Sequence, residues 1–169
     1  MSTNETLARK LRFGDVAYAI GATPKALRLW LQRDLVQVRT PKPDAGRWTE
    51  YSFVDVAILA LIRALSNFGV DVPTASAIAN KIMSDHFFPV AALESNAAPV
   101  GALALGWANR RLRLSRDGDG WEMQVIDLWK PASEWPPEPA VHLTLDIEAV
   151  LRAAFARATE SVNEGDDEE

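Results

Sequence analysis

The chain has 169 residues, of which 48% are hydrophobic, so it can bury the core of one ordinary domain or of two small ones. It contains no Cys, which excludes a disulfide framework and thiolate chemistry. The net charge of −5 is unevenly spread: residues 1–85 carry 11 Lys/Arg and 8 Asp/Glu, a balance of +3, while residues 86–169 carry 7 and 15, a balance of −8. Residues 54–62, apolar apart from Asp55, are too short to span a membrane, and with no long apolar run among the first residues no signal peptide is expected. The expectation is a soluble cytoplasmic chain with no membrane partner.

Residues 1–11 are polar and expected to be a flexible N-terminus. Phe13, Val16, Ala17 and Ile20 then recur at helical spacing, and Gly21 ends the run. Thr23 followed by Pro24 is an N-cap with proline at the first helical position. Leu27, Trp30 and Leu31 give this second helix a buried side, which leaves Thr23, Lys25, Arg28, Leu29 and Gln32 to solvent. Two short helices across a tight turn form a helix-turn-helix pattern. Periodicity stops over residues 38–51, where Pro41, Lys42, Pro43, Gly46 and Arg47 predict an extended hairpin or loop. Ser52 and Asp55 have capping-box spacing and open a third helix, which Gly69 stops near Phe68. Pro73 opens a fourth, with Ala75, Ile78, Ala79 and Ile82 on one face.

The second half has a different pattern. Residues 87–99 read as a linker and residues 100–105 as a short strand. Residues 111–115 and 122–128 flank Asp117-Gly118-Asp119-Gly120 as a β-hairpin. Four prolines in residues 131–139 predict an extended linker, and residues 141–145 a further strand. Asp146 caps a last helix whose stripe is Ile147, Val150, Leu151, Ala154 and Phe155. Residues 161–169 read as a disordered acidic tail. The predicted fold is α+β, with an N-terminal helical domain over residues 12–86 and a small antiparallel sheet with a C-terminal helix over residues 100–160.

Residues 13–82 resemble the DNA-binding domain of MerR-type transcriptional regulators. The resemblance is carried by Phe13-Gly14-Asp15-Val16-Ala17, by residues 23–30 with their Thr-Pro turn and Leu-Arg step, and by Asp34-Leu35. Gly46, Arg47, Tyr51 and Ser52 match the family's wing, and Asp55-Val56 its third helix. It implies a winged helix-turn-helix whose second helix enters the major groove of double-stranded DNA, with Arg28 on the backbone and Arg47 as the wing arginine. The residues agree. Lys25 and Arg28 suit phosphates or guanine edges, Gln32 suits adenine, Thr23 opens a helix N-terminus, and Lys42 and Arg47 give the wing positive charge.

Three departures stand out. Leu29 replaces an aromatic, Glu50 places a carboxylate in the wing, and no coiled-coil heptads follow residue 87. In their place the stripe of Ile147, Val150, Leu151, Ala154 and Phe155 is expected either to pack on its own sheet or to join two copies in a homodimer. The C-terminal module is expected to dimerise, to bind a protein partner or to sense a small-molecule effector. Arg110, Arg111, Arg113 and Arg116 form a basic cluster, and Trp107, Trp121, Trp129 and Trp135 are candidates for core or pocket. No cofactor, metal site or enzymatic motif is expected: His86 and His142 stand alone. The alternatives to a MerR-like regulator are a phage-type accessory factor, such as an excisionase or small terminase subunit, and a protein-interaction adaptor that has lost DNA binding.

Overall fold

A computed structural model describes residues 11–40, 49–85 and 109–166. Its elements run α1 (Phe13–Ala19), α2 (Pro24–Gln32), α3 (Phe53–Asn67), α4 (Val72–Asp85), β1 (Arg110–Asp117), β2 (Gly120–Asp127), a 3-10 turn (Ala132–Glu134), β3 (His142–Asp146) and α5 (Ile147–Asp166). The architecture is α+β: a helical N-terminal half, a three-stranded antiparallel sheet in the order β2-β1-β3, and a C-terminal helix. The strand expected over residues 100–105 and the linker over residues 87–99 lie outside the described residues.

The helix boundaries follow from local chemistry. Gly21 adopts φ +63 after α1, the left-handed conformation that only glycine enters cheaply, and so turns the chain into α2. Thr23 caps α2 by accepting from Ala26 N at 3.1 Å. After α2, Asp34 takes φ +52, and Leu35 N reaches back to Trp30 O at 2.9 Å, a Schellman-type stop. Ser52 and Asp55 form the predicted capping box of α3. Asp71, two residues before Pro73, caps α4 through Thr74 N at 3.0 Å.

α3 is the hub of the core. Eleven of its fifteen residues are buried, because α4 lies on one side and α5 on another. The α5 stripe packs mainly on α1 and α3 and also touches β1. Ile147, Leu151, Ala154 and Phe155 are buried and Val150 is half-buried against the same cluster, which also takes in Leu112, Leu114 and Leu145 of the sheet. The Phe155 and Phe53 rings meet edge to face at 5.7 Å. Polar contacts fix the same register: Arg157 Nε donates to Ala19 O at 2.8 Å, and Ser161 Oγ to Asp15 Oδ1 at 2.5 Å. α5 continues past Ser161 to Asp166, beyond the point where composition alone predicts order to end.

Residues 131–139 are not simply extended. The 3-10 turn folds back so that the Trp135 indole N–H reaches Asp127 O and Lys130 O at 3.1 and 3.0 Å. Pro136 O accepts from Arg113 Nη1 at 3.3 Å. Prolines remove donors but leave carbonyls, and these carbonyls anchor the segment to the sheet.

Candidate nucleic-acid interface

The turn and α2 present their predicted polar face to solvent. Thr23, Lys25, Arg28, Leu29 and Gln32 are all exposed, while Leu27 and Trp30 are buried and Leu31 is half-buried. Leu29, at 41%, is among the most exposed large apolar side chains described, and it stands amid the polar ones. Arg28 does not simply point outward. Its guanidinium lies 5.5 Å above the Phe13 ring, which draws it toward the N-terminal end of α1.

Here the surface is concave. A groove of ≈ 950 Å³ opens between the start of α1, α2 and the stretch that leads into α3, lined among others by Arg12, Phe13, Arg28, Gln32, Glu50 and Tyr51. A two-way backbone pairing between Leu11 and Tyr51, both bonds 2.9 Å, joins its walls. Among the described residues, neither the Arg12 nor the Arg28 guanidinium has a carboxylate partner. Burial pushes the Tyr51 phenol above its ordinary value, a hydrogen bond with Thr49 pulls it back in part, and the Asp55 charge raises it; the group is a neutral wall of the groove.

Arg12 is the lining residue that the sequence reading missed. It precedes the periodic stretch and enters the groove only because Leu11 pairs with Tyr51. The one local signal is Asp15 three residues on, whose Oδ2 accepts from Arg12 N at 2.9 Å.

The segment that follows α2 is held tightly. Gln37 N donates to Ser76 Oγ at 3.0 Å, and Gln37 O accepts from Asn80 Nδ2 at 3.1 Å. Asp55, fully buried, accepts from Arg39 N at 2.7 Å, from Thr40 N at 3.2 Å and from the Thr40 hydroxyl. It also accepts from Ser52 N and Ser52 Oγ at 2.9 and 2.8 Å. One carboxylate thus caps α3 and fixes the backbone at Arg39 and Thr40. Lys42 and Arg47 lie outside the described residues.

Residues 11–82 match the family model described as MerR HTH family regulatory protein. Over this segment the chain is similar to MerR-type helix-turn-helix regulatory proteins. The match covers a little over two fifths of the chain and ends before the sheet. No curated protein matches the chain significantly. In the MerR-type domain the exposed α2 face and the groove lie side by side, sharing Arg28 and Gln32.

The other candidate residues sit elsewhere. Strand alternation splits the arginine cluster, with Arg110 and Arg116 on one face of β1 and Arg111 and Arg113 on the other. Arg111 pairs with Asp146 at 3.0 Å, Arg116 lies over Trp121 at 5.3 Å, and Arg113 is buried. Trp121 packs on the core, Trp129 is exposed, and Trp135 is held by its two carbonyls; Trp107 and His86 lie outside the described residues. His142 is half-buried between Pro139 O and Glu138 Oε1, each at 3.1 Å. Among the described residues no helix is long and apolar enough to cross a membrane.

Proposed function

We propose that this chain is a sequence-specific double-stranded DNA-binding regulator that acts as a homodimer. The observation that carries the reading is the solvent-facing row Lys25, Arg28 and Gln32 on α2, within a MerR-type domain and beside a groove lined by Arg12 and Arg28. Phosphate contacts from Arg12, Arg28 and the start of α2 at Thr23 set register, while Lys25, Leu29 and Gln32 read base edges or thymine methyls in the major groove. Lys42 and Arg47 belong to the same proposal as wing contacts to the flanking backbone.

Two half-sites about one helical turn apart would suit a symmetric dimer. Ile147, Val150, Leu151, Ala154 and Phe155 pack within the protomer, so a dimer built on them exchanges α5 between copies, each stripe packing on the other copy's α1 and α3. The sheet module remains the proposed site for a protein partner or small-molecule effector. Selection of bound duplexes from a random pool tests the reading. An enriched palindrome supports a symmetric specific binder, enrichment of bent or A/T-rich DNA without a palindrome favours an accessory architectural factor, and no enrichment at low salt leaves the adaptor reading.

A further inference from the structure

We propose that Arg157 and Ser161 of the C-terminal helix are positioning residues for the groove arginines Arg12 and Arg28, acting through α1. The positioning stands on the contacts alone; its effect on DNA rests on the function proposed above.

α1 is only seven residues long. It packs chiefly on α5 and only lightly on α2 and α3, although α2 and α3 lie with it in the segment that matches the family model and α5 does not. So short a helix has little stability of its own and takes its place from what it packs on. α5 adds two polar grips. Near the C-terminal end of α1, Ala19 O accepts from Arg157 Nε at 2.8 Å. In its first turn, Asp15 Oδ1 accepts from Ser161 Oγ at 2.5 Å, and the other oxygen of that carboxylate accepts from Arg12 N at 2.9 Å. The grips are one turn apart on each helix, so together they fix where α1 lies along α5 and how it is rotated.

The same short helix sets the groove. Arg12 is its N-cap and Phe13 its first residue, and both line the groove. The Arg28 guanidinium lies 5.5 Å above the Phe13 ring, so the seat of α1 decides where that guanidinium is held. Arg12 is tied more directly, because the carboxylate that Ser161 contacts also fixes its backbone N–H. Among the described residues neither guanidinium has a carboxylate partner, so no ion pair there competes with α1 in placing them. Guanidiniums held in place lose less freedom when a phosphate binds, and that saving is what α5 contributes to affinity.

α5 is itself anchored at its other end. It follows β3 with no intervening residue. Asp146, the last residue of β3, accepts from Ala149 N at 3.0 Å through Oδ1 and pairs with Arg111 of β1 at 3.0 Å through Oδ2. The helix is a strut from the sheet to α1, and through it the C-terminal half supports the DNA face without touching DNA.

The test uses the full chain, a double variant with Arg157→Ala and Ser161→Ala, and Ser161→Thr, which keeps the hydroxyl. The apolar stripe of α5 is intact in all three, and each is measured well below its melting temperature, so lost stability alone moves neither readout. The first readout needs no DNA. The Arg28 side-chain NMR signals feel the ring current of Phe13, and Phe13→Leu marks their position without it. In the double variant they should move part of the way toward that position, and in Ser161→Thr they should stay. Double-variant signals that coincide with those of the unmodified chain would overturn the proposal. The second readout is binding to a random-sequence duplex at about 50 mM salt. The double variant should bind about two- to tenfold more weakly, and Ser161→Thr like the unmodified chain. The same double substitution in an Arg12→Ala, Arg28→Ala background should cost less. An unchanged affinity in the double variant, or an undiminished loss in that background, overturns the proposal. Shifted Arg28 signals with no duplex binding by any chain would overturn the DNA reading and leave the positioning standing.

Discussion

The Ser161 hydroxyl donates to Asp15 Oδ1 at 2.5 Å across 146 positions of sequence, while Asp15 Oδ2 accepts from Arg12 N at 2.9 Å. One carboxylate therefore caps α1 and ties the C-terminal helix to it. Asp15→Ala loses both bonds and should destabilise by about 1–3 kcal/mol. Ser161→Ala loses one and should cost about 0.5–1.5 kcal/mol. A double-mutant cycle by urea denaturation should show coupling, because both substitutions remove the same bond. Strict additivity would mean that the Ser161–Asp15 bond contributes nothing measurable to holding α5.

Asp55 has a larger role. It is fully buried and accepts from Ser52, Arg39 and Thr40, so Asp55→Ala strands donors on two segments at once. The expected loss is about 3 kcal/mol or more, with the denaturant slope unchanged. Thr40→Val removes only the hydroxyl bond and should cost about 1 kcal/mol. Hydrogen exchange should show the amides of Arg39 and Thr40 losing protection in Asp55→Ala before those in the middle of α3 do.

Two glycines should respond with opposite sign. Gly69 sits at φ +87 after α3 with open space where a Cβ would go, so Gly69→Ala meets only the backbone penalty, about 1 kcal/mol destabilising. Gly14 lies inside α1 with open space and an ordinary φ, so Gly14→Ala should stabilise by up to about 1 kcal/mol. Thermal melts of the two variants check the contrast.

Asp71 gives the chain a pH-dependent cap. The backbone N–H of Thr74, then its side chain, hold the Asp71 carboxyl below its ordinary value of 3.8. A carboxyl lowered in the folded state stabilises above its unfolded value and loses that contribution as pH falls through the lowered one. The stability gap between the unmodified chain and Asp71→Ala should therefore be full at neutral pH and close in the acid range below about pH 4. The group is almost fully exposed, so the gap should be small and should shrink with salt.

The local elements were legible in the sequence because their signals are local. Thr23-Pro24, the Ser52/Asp55 spacing and the Leu27/Trp30 face each act within about one helical turn, and each sits where its spacing predicts. The stripe of α5 was equally plain, but its partners were not: α1 lies more than a hundred residues away, and an amphipathic face says only that something covers it. For the same reason Asp55 was readable as a cap but not as the acceptor for Arg39 and Thr40. Arg12 escaped because the groove exists only once Leu11 pairs with Tyr51. The proline-rich stretch misled because proline counts report missing donors, whereas its structure depends on where its carbonyls find partners.

The central claim is that the α2 face and its groove bind duplex DNA, and salt-dependent titration of a fluorescent duplex tests it most directly. The account predicts measurable binding at about 50 mM salt, weakening linearly in log affinity against log salt. Arg28→Ala should bind more weakly with the slope reduced by about 0.9, the value expected for one lost phosphate contact. No binding at low salt, or an Arg28→Ala chain with the affinity and slope of the unmodified one, would contradict it.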